Sequence, residues 1–264
     1  MNQTKLQTNN LKQSFELLTK SPFYLAIPIL LDLIFLFLVG FIGSIFTTKA
    51  IPYLQNLATI QSTPAADTSA MIAQQTQLAS ALTHIVLILL QIVLVVFILW
   101  TIFQGINWFL ATKCVKKKVN IKKYSLNFLT LNIIWIILIA ILAKFFFEIT
   151  LKNLLTSTPI VSQSLVNAIG IIISIILLYF LFIGYSISYK YKLKEFLKNI
   201  FKIGIKDFKI IIAYLIIVVS FWIAKFIVQL FSLSFASTII AGIIILMPLI
   251  TFYRIYLIKT IEKN

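Results

Sequence analysis

Residues 166–202 decide the fold, and they read VNAIGIIISIILLYFLFIGYSISYKYKLKEFLKNIFK. The first part, from Val166 to Tyr189, is apolar and uncharged, and it exceeds the roughly 20 residues that a helix needs to cross the hydrocarbon core of a bilayer. Its isoleucines and leucines do not alternate with polar residues, which argues against a strand of an outer-membrane barrel. The stretch therefore predicts a membrane-spanning helix followed by a basic segment at the membrane surface.

The composition of the whole chain agrees with this prediction. Of its 264 residues, 61% are hydrophobic and 11% are charged, and the mean hydropathy is +1.03. Soluble domains are about 45–50% apolar and about 25% charged, so this chain lacks the polar side chains that would cover a water-soluble globule. The composition excludes a soluble enzyme, a nucleic-acid-binding domain and a disordered tail.

Six apolar runs are each long enough to span a bilayer. They lie at about residues 22–46, 81–112, 128–151, 166–189, 208–231 and 237–258. Because backbone exposed to lipid must form its hydrogen bonds within its own segment, each run is predicted to be a helix. The predicted fold class is therefore all-α, a polytopic membrane bundle of six transmembrane helices in a single domain, residues 1–264.

The segment 47–80, between the first two runs, is the only sizeable stretch predicted to lie outside the membrane. Pro64 and Asp67 are predicted to start a helix that continues from Thr68 into the second run, because aspartate is a favourable N-cap residue. The rest of the segment is interpreted as a mobile loop or lid.

The lysines orient the chain. They cluster in the N-terminal segment, in the second-to-third and fourth-to-fifth connections and at the C-terminus, whereas the remaining connections contain only Lys49 and Lys152. Loops rich in Lys and Arg stay in the cytoplasm. The net charge of +16 is therefore concentrated on one side of the membrane. Both termini are predicted to be cytoplasmic, and the membrane is predicted to be the cytoplasmic membrane of a prokaryote.

A basic amphipathic segment precedes each odd-numbered run. The pattern is clearest where Lys194, Lys198 and Lys202 lie opposite an apolar face, as in a helix at the headgroup layer. The apolar faces are formed by Leu193, Phe196, Leu197, Ile200 and Phe201, by Leu11, Phe15 and Leu18, and by Tyr124, Phe128 and Leu131. This predicts three repeated two-helix hairpins, each preceded by an interfacial helix, with the three lysines as lipid headgroup contacts. Alternatively, any six-span protein with basic connections produces such matches.

Asp32 and Gln91 are the candidates for a polar site at the membrane midplane. Counted from the predicted ends of their runs, each lies roughly 15 Å deep. An ionisable group at that depth suggests proton or cation coupling, or contact with a polar solute. A protonated Asp32 bonded to Gln91 as a tie between helices is the alternative.

Three further charged residues lie within the runs. Arg254, placed towards the cytoplasm as part of the transport site, is expected to extend to the headgroups, to pair with Asp32 or to hold a lipid phosphate. Lys144 and Lys225, towards the outer face, either extend to the headgroups or form outer basic positions that attract an anion. Glu148 follows Lys144 by four residues, so an ion pair along one helix explains the position of Lys144 equally simply.

No catalytic or metal site is predicted. The single cysteine, Cys114, and the single histidine, His84, cannot form a zinc site of nitrogen and sulfur ligands. Neither the Gly-x-Ser-x-Gly nor the His-Glu-x-x-His pattern of hydrolases is present. The chain is therefore expected not to be an enzyme and to have no cofactor.

The sequence Ser14-Phe15-Glu16-Leu17-Leu18, leading into Lys20-Ser21-Pro22 and a span with Pro28, resembles uncharacterised prokaryotic six-span membrane proteins. These include the membrane domain associated with glycerophosphodiester phosphodiesterases. Asn199-Ile200-Phe201-Lys202 repeats the pattern before the fifth run. The resemblance implies a membrane module and transfers no catalytic residue.

Three functions are open at this point. The first is a small transport or lipid-interacting module, with anionic headgroups and a small solute or ion as partners. The second is a non-transporting scaffold or assembly partner, in which the polar residues only hold helices together. An intramembrane hydrolase is the third. Nucleic acid is not expected as a partner, because headgroups would compete for the same basic face.

Overall fold

The computed structural model describes residues 3–62, 67–116, 118–155, 162–231 and 234–262. Within these ranges the chain forms eight α-helices and no strand, which confirms the all-α prediction. The helices are α1 (Gln3–Lys20), α2 (Phe23–Ser62), α3 (Thr68–Val115), α4 (Ile121–Leu155), α5 (Gln163–Ile187), α6 (Leu193–Lys206), α7 (Phe208–Leu230) and α8 (Phe235–Glu262).

Six of these helices, α2, α3, α4, α5, α7 and α8, are long and apolar enough to span a membrane. Helices α2 and α3 have 40 and 48 residues, or roughly 60 and 70 Å, against a hydrocarbon core of about 30 Å. The prediction of a loop or lid is therefore wrong for the described parts of 47–80. Alanine, glutamine and leucine are common there and favour helix. Pro64 lies outside the described residues.

The chain divides into two compact units, and Leu31–Phe103 forms one of them, which we call the hairpin unit. It consists of most of α2 and α3 running antiparallel. The ring of Phe35 contacts those of Trp100 and Phe103 at 5.9 and 6.0 Å between centroids. Further along α2, Tyr53 stacks on His84 at 4.7 Å. These contacts define how residues of the two helices face each other.

Asp67 caps the first turn of α3, as predicted. Its carboxylate accepts hydrogen bonds from the Ser69 hydroxyl and from the Ala70 backbone N–H, both at 2.7 Å. These bonds satisfy groups that a helix start otherwise leaves without a partner. The same two bonds, with that of Ser69 the stronger, lower the pKa of Asp67 below its ordinary value.

Met1–Leu30 and Gln104–Asn264 form the second compact unit, the bundle unit. Its core is concentrated where the lysine-rich connections join the helices, and we call this the basic end. There the Tyr185 ring stacks on Phe128 at 4.5 Å and contacts Trp108 at 5.4 Å. Lys116 forms an ion pair with Glu262 at the same end. The buried core therefore lies around the helix ends that were predicted, from the positions of the lysines, to lie on one side of the membrane.

Two glycines allow α5 to approach its neighbours closely. A Cβ atom at Gly184 would collide with Leu131 of α4. A Cβ atom at Gly204 of α6 would lie 2.7 Å from Phe180 and 3.0 Å from Ile183, both on α5. Because these positions have no Cβ atom, the side chains of Leu131, Phe180 and Ile183 pack directly against the backbone of the neighbouring helix.

Helix α1 packs against the bundle through polar residues. This packing was not predicted from the sequence. Gln7, Asn10 and Ser14 are buried, whereas Phe15 is 61% exposed. Gln7 accepts a hydrogen bond from the Tyr256 hydroxyl on α8 and donates one to the backbone carbonyl of Lys209. The polar stripe of α1 is the buried one because hydroxyl and carbonyl groups on α7 and α8 bond to it, and Phe15 of the predicted apolar face lies on the exposed surface.

The predicted interfacial segments are separate helices in two of three cases. Helix α1 precedes α2, and α6 precedes α7. In the described residues ahead of the third span no separate helix is present, since α4 begins at Ile121 and runs on without a break. Phe128 and Leu131 are buried in the core there, so this part of the predicted repeat is replaced by a continuous helix.

The outer surface of both units carries many large apolar side chains. Trp222 and Phe37 are 74% and 73% exposed, and many of the isoleucines and leucines along the spans are also exposed. Soluble monomers rarely expose apolar patches larger than a few hundred Å². Such a surface is suited to contact with lipid, which forms no hydrogen bonds with it.

Candidate functional site

Asp32 and Gln91 do not face each other in the hairpin unit. Asp32 is 5% exposed, whereas Gln91 is exposed. The ring contacts of Phe35 and Tyr53 place Gln91 opposite residues 44–46, roughly 13 residues or about 20 Å along α2 from Asp32. The two depths counted from the sequence assumed that residues 46 and 81 lie at the same level, whereas the ring contacts place Ala81 opposite about residue 56 of α2.

Arg254 is enclosed by protein, so the expectation that it extends to the headgroups is wrong. It is 5% exposed, and its Nη2 donates a hydrogen bond of 2.8 Å to Oε1 of Gln104, which is 6% exposed. Asn107, one turn further along α3, is fully buried. The bundle unit therefore contains a buried polar cluster between α3 and α8.

Lys144 and Lys225 are both exposed. The ammonium of Lys144 lies 3.8 Å from a carboxylate oxygen of Glu148, four residues later on α4. This is the ion pair along one helix that was one of the alternatives, and exposed pairs of this kind add little stability. The geometry does not enclose either lysine in a site.

Helix α6 has one buried face and one exposed face. Phe196, Ile200 and Gly204 are buried against the bundle. The exposed face carries Phe201 at 54% exposure and Ile205 at 69%, together with the lysines 194, 198, 202 and 206. A helix with one face on protein and an exposed face of apolar and basic side chains is suited to the boundary between lipid and headgroups.

The turn between α5 and α6 is held by side chains of α4. Asn127, which is 1% exposed, donates hydrogen bonds to the backbone carbonyls of Ser188 at 2.7 Å and Tyr191 at 2.9 Å. The ammonium of Lys123 donates to the carbonyl of Lys190 at 2.8 Å. These bonds satisfy carbonyls that the end of α5 leaves without helical partners. They also fix where Lys190 and Tyr191 lie relative to α6.

Beside this turn lies an open pocket with a volume of about 300 Å³. It is lined by Lys190, Tyr191, Asn199, Lys202, Ile203, Lys206, Asp207 and Ile261. The turn, α6, the α6–α7 junction and α8 all contribute, so only the folded bundle unit assembles it. We call it the lysine pocket.

The lysine pocket carries an excess of positive charge. Three of the residues that line it are lysines and one, Asp207, is acidic. The Asp207 carboxylate accepts a hydrogen bond from the Lys209 backbone N–H at 3.1 Å and so caps the start of α7. A carboxylate engaged at a helix N-terminus is partly compensated by the helix dipole. The pocket as a whole therefore favours an anion.

Of the pocket residues, only Lys202 was predicted as a site residue. Lys194 and Lys198, predicted with it, are exposed on α6 but do not line the pocket. The helical spacing of Asn199, Lys202 and Lys206 was a usable signal, because positions three and seven apart share a face. No local sequence pattern predicted that Lys190 and Ile261 would line the pocket.

Among the described residues, no group of three or more His, Cys, Asp or Glu side chains lies close enough together to hold a metal ion. Comparisons of the chain with protein-family models, with curated proteins and with solved structures give no match. The resemblance to membrane domains associated with glycerophosphodiester phosphodiesterases stays a prediction.

Proposed function

We propose that this protein is a lipid-interacting integral membrane module, with its basic end on the cytoplasmic side and α6 in the headgroup layer. The observation that carries the proposal is the exposed face of α6, which combines apolar and basic side chains. Its exposed Phe201 and Ile205 lie beside the exposed lysines on one short helix. Apolar side chains beside ammonium groups suit anionic lipid, which has both acyl chains and charged headgroups.

Electrostatics supports the choice of anionic over zwitterionic lipid. A lysine near a negatively charged leaflet contributes about 1 kcal/mol to the attraction. Helix α6 offers four lysines and one acidic residue, Glu195. Because the cytoplasmic leaflet is the anionic one, the same charges support the proposed orientation.

The experiment compares two charge-matched variants of the full chain reconstituted in nanodiscs of mixed phosphatidylcholine and phosphatidylglycerol. Lys194→Gln/Lys198→Gln removes two charges from α6, whereas Lys144→Gln/Lys225→Gln removes two exposed charges from the spans. Lipids retained by the purified protein are counted by native mass spectrometry. We expect the first variant to lose its preference for phosphatidylglycerol and the second to keep it. Equal lipid preference in the wild type and both variants would refute the proposal.

An assembly partner is the second candidate, and the length of α2 and α3 favours it. Both helices are far longer than a bilayer requires. The parts of α2 and α3 beyond the predicted apolar runs expose Leu54, Met71 and Ile72. Crosslinking in native membranes through cysteines placed at these positions should trap a partner at a defined ratio. Recovery of the protein alone from all three positions would dismiss this candidate.

A transport site at Arg254 receives less support. Its hydrogen bond to the buried Gln104 is what a tie between helices requires. Solute flux into vesicles that contain the purified protein tests transport directly. Flux that Arg254→Gln abolishes would establish transport in place of the structural role.

A further inference from the structure

We propose that the lysine pocket binds the phosphate group of a phosphorylated ligand. This inference rests on the proposed function, because it assigns a ligand group to the same basic surface. It is more specific, because it names one pocket and a subset of its lysines. Two sources of the group share this chemistry: a lipid headgroup in the adjacent leaflet and a soluble phosphate ester.

The arrangement of like charges is the first argument. Lys202 and Lys206 are four residues apart on α6 and therefore occupy the same face, where two ammonium groups repel each other. Lys190 joins them from the turn before α6. An anion among the three would convert this repulsion into charge-assisted hydrogen bonds, and lysine is a common phosphate ligand in proteins.

The second argument is that part of the pocket is held in place before any ligand binds. Asn127 and Lys123 bond the backbone carbonyls of the turn. The ammonium of Lys190 lies 5.6 Å from the centroid of the Tyr191 ring, which restricts it further. A site whose residues are already positioned loses less entropy when it binds.

The floor of the pocket is the third argument. Ile203 and Ile261 line it, and Ile261 is 2% exposed. An apolar floor lowers the local dielectric constant and strengthens the attraction between an ammonium group and a phosphate. The volume of about 300 Å³ lies at the small end of ligand pockets. That size suits a phosphate with a short polar substituent.

Asp207 allows a test in which a variant should bind phosphate more tightly, in addition to variants that should bind it more weakly. Its carboxylate is the one acidic group that lines the pocket, and it repels an anion there. Asn is as good an N-cap as Asp. Asp207→Asn should therefore keep the start of α7 while it removes the repulsion. A variant that binds phosphate more tightly than the wild type cannot owe its effect to misfolding.

The test measures binding to the full chain in neutral phosphatidylcholine nanodiscs. One arm adds phosphatidic acid or phosphatidylglycerol and counts bound lipids by native mass spectrometry. The other titrates inorganic phosphate and glycerol 3-phosphate by calorimetry. The pocket variant is Lys202→Gln/Lys206→Gln, and the charge-matched control is Lys144→Gln/Lys225→Gln, which removes two exposed lysines outside α6.

We expect the pocket variant to weaken binding roughly tenfold or more in at least one arm, because it loses two charge-assisted contacts. The control should change binding there less than twofold, and Asp207→Asn should tighten it. Binding in the lipid arm alone assigns the headgroup as the source, and binding in the soluble arm assigns a phosphate ester. Equal losses in the pocket variant and the control, or no binding in either arm, overturn the pocket.

These results separate the two proposals. If Lys194→Gln/Lys198→Gln loses the preference for phosphatidylglycerol while the pocket variant binds like the wild type, the proposed function stands and the pocket fails. If only the pocket variant loses ligand, the pocket stands without the wider headgroup surface.

Discussion

The guanidinium of Arg254 on α8 donates a hydrogen bond of 2.8 Å to the side-chain carbonyl of Gln104 on α3, and both side chains are buried. The two residues are 150 positions apart in the chain. A charge enclosed by protein must have hydrogen-bonding partners, because removal from water is costly. The bond therefore ties the end of α3 to α8 in the bundle unit.

Gln104→Leu should destabilise the protein by about 1–3 kcal/mol, because it removes the acceptor of a buried guanidinium donor. Thermal unfolding of the full chain in nanodiscs measures the change. Gln91→Leu is the matched control, since Gln91 is exposed, and it should unfold like the wild type. Equal stability of the two variants would contradict a structural role for this bond.

Asn127→Asp should loosen the turn between α5 and α6. Aspartate has the same shape but cannot donate, so both hydrogen bonds to the carbonyls of Ser188 and Tyr191 are lost. We expect faster hydrogen exchange across residues 188–192 and a destabilisation of about 1–3 kcal/mol. An exposed asparagine on α2, Asn56, provides the comparison through Asn56→Asp. Unchanged exchange in the turn would show that other contacts hold it.

Gly204→Ala should push α6 away from α5, because the added Cβ would lie 2.7 Å from Phe180 and 3.0 Å from Ile183. Insertion of a methyl group into a packed contact costs about 1–3 kcal/mol. Gly242→Ala is the matched control, since nothing lies within 4 Å of the new atom. It should stabilise α8 by about 0.5–1 kcal/mol through helix propensity. Thermal unfolding compares them, and a harmless Gly204→Ala would contradict the close approach.

The start of α3 should fray in acid. Hydrogen bonds from Ser69 and Ala70 lower the pKa of Asp67 below its ordinary value of 3.8. The cap therefore contributes fully above that value, and the contribution is lost as the pH falls through the lower pKa of the folded state. After correction for the intrinsic exchange rate at each pH, hydrogen exchange of residues 68–71 should accelerate at such low pH.

Asp67→Asn is the control for this prediction, because an amide caps equally well and does not titrate. It should remove the pH dependence without loss of the first turn at neutral pH. Acceleration in acid that persists in this variant would assign the effect to another group.

The local features of the fold were predictable from the sequence. Helix α6 was predicted from the spacing of Phe196, Ile200 and the lysines, and the N-cap of α3 was predicted from Asp67. Both depend on residues within one or two turns of each other. The candidate site was predicted only in part, since Lys202 lines the pocket and Lys190 comes from another segment.

The sequence by itself determined that the chain is helical, that six helices are apolar enough to cross a membrane and that the lysines collect in particular connections. Composition and helical periodicity are sufficient for these properties, because each is a property of a single segment. Only the tertiary structure decided that Arg254 meets Gln104, that Gln91 lies far from Asp32 and that α1 buries its polar stripe. Such contacts depend on the register and the facing surfaces of packed helices, which no single segment contains.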